Sequence, residues 1–231
     1  MAKNVFIDEI RSIFNNRTDA GQRLASELTG YKGSQTVVLA IPRGGVPVAV
    51  EVAVKLEASL DMIFVRKIPI PDEPEAGYGA VAEDGATILN RPMVRDLRLT
   101  ASEIEEQAEN VRAEIKRRNR AFREKLLPVS LVGKTVIIID DGLASGYTML
   151  AAVKSARQQQ AAEVVVAVPA ASMDGYELVK PGVSELVALV IARTSWFAVA
   201  SFYSQWHDLT DAEVFNHLED FKKRIETLPS Q

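Results

Sequence analysis

The chain has 231 residues, 47% of them hydrophobic and 25% charged, with a net charge of -4 at pH 7 and no cysteine. A chain of this length buries a core without staples, and its composition is that of a soluble globular protein. The acidic balance argues against nucleic acid as a partner, and the absence of thiols, of a signal-peptide core and of any ~18-residue apolar run argues against disulfides, export and a membrane span, so a cytoplasmic location is expected.

In chain order, Arg17–Leu28 has apolar positions at 20, 24, 25 and 28, one face of a helix expected to pack on a sheet edge. Thr36–Ile41 is a β-branched run that reads as a buried strand, and it stops sharply at Pro42-Arg43-Gly44-Gly45 before a helix over Val46–Leu56. Leu60–Val65 reads as the next strand. The prolines at 69, 71 and 74 then exclude a helix, and Gly77–Asn90 reads as a hairpin turning near Glu83-Asp84-Gly85.

Thr100-Ala101-Ser102-Glu103 is a capping box opening a long helix to about Leu126, with the apolar stripe Ile104, Ala108, Val111, Ile115, Phe122 and Leu126. Its basic half, with Arg112, Lys116, Arg117, Arg118, Arg120 and Arg123, reads as a solvated or intersubunit face. Strand and helix then alternate through 135–139, 147–158, 163–168, 174–179 and 185–191, followed by an aromatic segment over 195–206 and a final helix capped by Thr210. Apolar strands alternating with amphipathic helices predict an α/β fold, a parallel sheet covered on both faces.

Val136–Ile139 runs directly into Asp140-Asp141, a loop of small residues, and a helix. Ligands gather at the carboxyl ends of parallel strands. Gly142, Ala144, Ser145 and Gly146 let backbone N–H groups approach a ligand, Ser145 and Thr148 add hydroxyl donors, and the helix N-terminus favours a phosphate. Two carboxylates beside a phosphate cradle need a separate role, and sugar hydroxyls, reached directly or through hydrated magnesium, supply one. The alternative is an ordinary crossover loop in which the Asp pair is a solvated cap.

The string VIIIDDGLASGYTM resembles the 5-phosphoribosyl-1-pyrophosphate (PRPP) signature of the type I phosphoribosyltransferases. The resemblance extends over nearly the whole chain through RTDAGQRLA, IPRGG, VRKI, GYGAVAEDG and FAVASFYSQWHDLTDAEV, and is closest to the stand-alone phosphoribosyltransferase-like branch. It implies a single phosphoribosyltransferase domain over 1–231, with a flap at about 67–90, an inserted long helix at about 101–126 and a hood-like segment at about 194–206.

It further implies that Asp140 and Asp141 contact the ribose and hold Mg2+, and that Asp140, Asp141, Gly142, Leu143, Ala144, Ser145, Gly146, Tyr147 and Thr148 bind PRPP. Pro42, Arg43, Gly44, Gly45, Arg66 and Lys67 would hold pyrophosphate. Asp140, Asp141, Arg43 and Lys67 would act in catalysis, and Trp196 or Phe197 would stack on the acceptor. Ala200 and Gln205 depart from the expected Gly and Asp of the hood.

The reaction implied moves the phosphoribosyl group from PRPP to a nitrogen of a nucleobase or related heterocycle, with release of pyrophosphate, and the resemblance implies a homodimer. Ala144 stands where enzymes acting on 6-oxopurines carry Asp, and Glu75 and Glu83 are the flap acids available to an adenine-type enzyme. A non-catalytic PRPP or nucleotide sensor of the same fold, and an unrelated phosphate-binding α/β protein, are the alternatives. His207 and His217 are isolated and show no zinc spacing.

Overall fold

The computed structural model describes residues 5–33, 35–70 and 73–227. The elements run β1 (Val5–Ile7), α1 (Arg17–Glu27), β2 (Thr36–Ala40), α2 (Gly45–Leu56), β3 (Ser59–Met62), β4 (Val65–Ile70), β5 (Glu73–Ala82) and β6 (Thr87–Leu89). They continue with α3 (Arg91–Asp96), α4 (Ala101–Arg123), β7 (Thr135–Ile139), α5 (Tyr147–Gln158), β8 (Glu163–Ser172), α6 (Met173–Val179), β9 (Glu185–Ala192) and α7 (Asp211–Glu226).

The core is a six-stranded sheet in the order β1-β9-β8-β7-β2-β3, with every pairing parallel. This is the α/β architecture that the alternation of strands and helices predicts. Side chains of a strand alternate between faces. Val38, Ala40, Ile137 and Ile139 therefore meet α1, α2 and α7, whereas Val37, Leu39, Val136 and Ile138 meet α5 and α6. Burial on both faces explains why these strands read as continuous apolar runs.

Helix α2 is rich in valine, a modest helix former, so its helical state rests on packing: ten of its twelve residues are buried. Arg224 of α7 adds a two-pronged ion pair to the buried Glu51 of α2, at 2.6 and 3.0 Å. Helix α1 lies on α2 and over β8 and β9 rather than at a sheet edge, which corrects the expected position. The edges are β1 and β3. Amphipathic spacing shows that a helix has one buried face, but not which strands lie beneath it.

The apolar run over 60–65 divides between two sheets. The chain follows β2 through Met62, and Ile63 N–H still donates to Ala40 O at 3.0 Å. At Val65 it begins an antiparallel ribbon, β4-β5-β6. Arg66 and Lys67 consequently start this ribbon and do not end the second parallel strand. Pro69 sits in the edge strand β4, where the register shifts on either side of it, a position that spares the ladder its missing N–H. Pro71 and Asp72 lie outside the described residues.

The capping boxes at Thr100 and Thr210 are both formed. Ala108, Ile115, Phe122 and Leu126 of the long helix's stripe are buried, while Ile104 and Val111 are half-buried. Its basic half is not uniformly solvated: Arg123 pairs with the buried Asp61 and donates to Met62 O at 3.2 Å. No described helix is long and apolar enough to cross a membrane.

Candidate active site

Strands β2 and β7 are neighbours in parallel register, with Ala40 opposite Ile139, and Ile41 N–H donates to Ile139 O at 2.9 Å. Two loops about 100 residues apart in sequence are thereby brought side by side. The chain moves outward from β2 to β3 in one direction and from β7 to β8 and β9 in the other. The crevice between β2 and β7 is thus the topological switch point, where ligands of open parallel sheets bind.

Gly44 and Gly45 close this crevice by contact. A Cβ on Gly44 would lie 2.1 Å from Asp141 Oδ2, and one on Gly45 would lie 2.5 Å from Ile139 O. The peptide bond between Pro42 and Arg43 is cis. Arg43 turns from the crevice toward Asp211 at the start of α7, at 3.6 Å.

The loop after β7 is pinned at its middle and open at its end. Leu143 is buried, its N–H donates to Ala170 O and its carbonyl accepts from Ser172 N–H, both at 2.8 Å. Leu143 therefore anchors the loop to β8, and its N–H is not available to a phosphate. Ser172 Oγ donates to Ala144 O at 2.6 Å. Gly146 has φ +84°, a left-handed turn that favours glycine, and it caps α5 without a side-chain partner. Ala144 and Ser145 are exposed. The first-turn amides of α5, which no helical carbonyl can reach, open at the same end, where Thr148 is the second helical residue and is half-buried.

The acid pair is held from behind. Asp140 Oδ1 accepts from Asp141 N–H at 2.9 Å. Asp141 Oδ2 accepts from Arg17 Nε at 2.8 Å, and Tyr203 donates its hydroxyl to Asp141 O at 2.6 Å. Arg17 is only 7% exposed, stacks 3.8 Å from the Trp206 ring centroid and donates Nη1 to His207 O at 3.0 Å. Burial and the adjacent Asp141 charge push the Asp140 carboxyl well up; burial also raises Asp141, against the opposing pull of Arg17.

Arg17 is the residue that the sequence reading missed as part of the site. A signal existed: an arginine in the first turn of a helix opposes the helix dipole, so its presence there asks for a partner. Tyr203 and Trp206 belong to the aromatic segment, whose Val199 also packs on Gly142, close enough that a Cβ there would meet it at 2.7 Å. The segment thus backs the acid pair. Phe197 packs on Phe202 with ring centroids 5.1 Å apart, whereas Trp196 is 63% exposed.

The other predicted residues separate into two groups. Arg66 joins Pro42 and Arg43 around one cavity; Lys67 packs beside Gly77 in the ribbon. Glu83 is bonded to Asn119 of α4 and lines a different cavity with Asp61 and Arg123. The side chain of Glu75 lies outside the described residues.

The charge state of Asp140 gives a test. An acid whose folded pKa lies above its unfolded one stabilises the fold below the unfolded value, and that stability is lost as pH rises through the folded value. The burial that raises Asp140 therefore weighs increasingly against the fold as the pH climbs above the unfolded value. Asp140→Asn keeps an Oδ1 acceptor for Asp141 N–H, and is expected to raise the melting temperature there by a few degrees, with the gain shrinking toward about pH 4. Thermal melts across pH check it; a variant less stable than wild type at the higher pH would contradict the assignment.

The comparisons with known proteins agree with this geometry. The phosphoribosyl transferase domain family matches residues 9–201. Two Mycobacterium tuberculosis proteins, from different strains and named as phosphoribosyl transferases, are each 39% identical over 207 residues, which is 90% of this chain and 46% of theirs. The chain thus spans about half the length of these curated relatives. The crystal structure of TT1426 from Thermus thermophilus superposes with a TM-score of 0.76 at 35% identity, covering 90% of this chain and 99% of that one. With its parallel sheet, its acid pair after β7 and its glycine loop after β2, the chain belongs to the phosphoribosyl transferase domain family.

Proposed function

We propose that the chain transfers the 5-phosphoribosyl group of PRPP to a nitrogen of a small heterocycle and releases pyrophosphate. The observation that carries this reading is the contact of Gly44 with Asp141, which joins an arginine-glycine loop to an acid pair and a phosphate-type helix N-terminus in one crevice. The amides opening α5, with Ser145 and Thr148, cradle the 5-phosphate. Asp140 and Asp141 accept from the ribose hydroxyls. Arg43, which rests against Asp211, swings back to the pyrophosphate, and Lys67 of the β4-β5-β6 ribbon joins it.

In the reaction the acceptor nitrogen donates its lone pair to ribose C1 while the C1–O bond to pyrophosphate breaks. Positive charge develops on the ring and negative charge on the leaving group. The protein's part is to fix the sugar in line with the acceptor, screen the departing charge and exclude water. The β4-β5-β6 ribbon serves as the cover. The exposed ring of Trp196, three residues before the Val199 that packs on Gly142, offers a face to the acceptor.

The acid pair suits magnesium. Among the described residues no group of three or more His, Cys, Asp or Glu could hold a metal unaided. Mg2+ commonly takes one or two carboxylates and leaves its other positions to water and substrate oxygens. Asp140 and Asp141 would hold it, and when bound with PRPP it would supply electrostatic stabilisation to the pyrophosphate. The test is pyrophosphate release from PRPP and magnesium with a panel of nitrogen heterocycles. Release that depends on one acceptor class supports the proposal; PRPP binding without release for any acceptor would favour a sensor.

A further inference from the structure

Strand β8 continues to Ser172, past its last pairing with β7 at Ala167. Its far end is held on one side by β9, where Ser172 lies opposite Ala192, and on the other by the single bridge from Ala171 to Leu143. Ser172 is thus fixed in the sheet at the point where the loop after β7 passes it. It also caps α6, its Oγ accepting from Gly175 N–H at 2.9 Å.

A serine hydroxyl has one proton, and its two neighbours here decide where that proton goes. Gly175 N–H is a donor and Ala144 O an acceptor, so Oγ accepts from the first and donates to the second, at 2.6 Å. Among the described residues no backbone N–H donates to Ala144 O. This carbonyl is seated against the first turn of α6, where a Cβ on Gly175 would lie 2.2 Å from it. Gly146 rests on the same helix: a Cβ there would lie 3.1 Å from Val179 and 3.2 Å from Leu178.

The peptide joining Ala144 to Ser145 is trans, and in a planar trans peptide the C=O and the following N–H point in opposite directions. Ala144 O turned into α6 therefore turns Ser145 N–H outward, to the exposed side of the loop. That N–H has no hydrogen-bond partner among the described residues. Without the Ser172 hydroxyl the same peptide is free to rotate and to present a partial negative charge where an anion needs a donor.

We propose that Ser172 is a positioning residue of the loop after β7: its hydroxyl locks the Ala144–Ser145 peptide so that Ser145 N–H is aimed at a bound phosphate. That this phosphate is the 5-phosphate of PRPP rests on the phosphoribosyl-transfer reading; the clasp does not. A donor fixed beforehand spares the ligand the cost of ordering it.

The test is calorimetric titration of ribose 5-phosphate, and separately of inorganic pyrophosphate, into wild type, Ser172→Gly, Ser172→Thr and Gly175→Ala. Ser172→Gly removes the donor at little cost to the cap, and Ser172→Thr keeps both. Gly175→Ala keeps the hydroxyl and favours the helix, but drives Ala144 O from its seat. Ser172→Gly and Gly175→Ala are each expected to weaken ribose 5-phosphate about tenfold, the loss of one hydrogen bond to a charged group, and to leave pyrophosphate unchanged. Ser172→Thr should bind ribose 5-phosphate as wild type does. No ribose 5-phosphate binding by the wild type, equal binding by wild type and Ser172→Gly, or a parallel loss of both ligands would overturn the clasp. If PRPP is turned over equally by wild type and Ser172→Gly, the transfer reading stands without it. If ribose 5-phosphate binds through Ser172 but PRPP does not bind, the clasp stands and the transfer reading falls.

Discussion

Arg17→Met is expected to destabilise the ligand-free protein by about 3–5 kcal/mol near neutral pH and to abolish PRPP binding. Methionine keeps an apolar stem against Trp206 but removes the cation from a carboxylate whose side chain is only 13% exposed. It also leaves His207 O without its donor from Arg17. Removing one partner of a buried pair leaves the other charge uncompensated, and here a second carboxylate, Asp140, is adjacent.

The sign of the pH dependence follows. Without Arg17 the main pull against burial is lost, and the folded pKa of Asp141 rises further above the unfolded value. The variant's deficit is then largest above that folded value, and it shrinks as the pH falls through it and Asp141 takes a proton. Urea unfolding at about pH 8 and about pH 5 measures both features. A deficit under about 1 kcal/mol and equal at the two pH values would mean that Arg17 is only surface packing. Arg17→Lys should fall between the two, since a single ammonium cannot stack on Trp206 while reaching Asp141 and His207 O from separate nitrogens.

Gly44→Ala is expected to lower PRPP affinity by at least about 100-fold. Its backbone, at φ −59° and ψ −39°, is open to any L residue, so glycine is there for space and not for conformation. The added methyl would lie 2.1 Å from Asp141 Oδ2 and 2.5 Å from Cγ. Asp141 cannot retreat while Arg17 holds it at 2.8 Å, so the arginine-glycine loop must lift away from β7 and separate the two halves of the crevice. Gly30→Ala, where nothing lies within 4 Å, is the matched control. PRPP affinity equal in the two variants would show that the contact does not shape the site.

The parts of this architecture that were legible in the sequence are those written in consecutive residues. Val136–Thr148 places apolar strand, acid pair, small-residue loop and helix in one string, and each piece forms where the pattern puts it. Thr100 and Thr210 announce their helices through capping boxes within four residues. Arg17 and Asp141 are 124 positions apart, and only the order of strands brings the start of α1 up to the loop after β7. The division of 60–65 was hidden for a related reason: an apolar run does not say which sheet it enters, and Val65 pairs with Ala82 instead of following β2.

Whether the acid pair binds PRPP is decided by calorimetric titration of PRPP, with and without magnesium, into wild type and into Asp140→Asn/Asp141→Asn. Magnesium-dependent binding by the wild type, and none by the folded double variant, is the expected result. Absence of PRPP binding by the wild type, or binding that ignores both substitutions, would contradict the assignment.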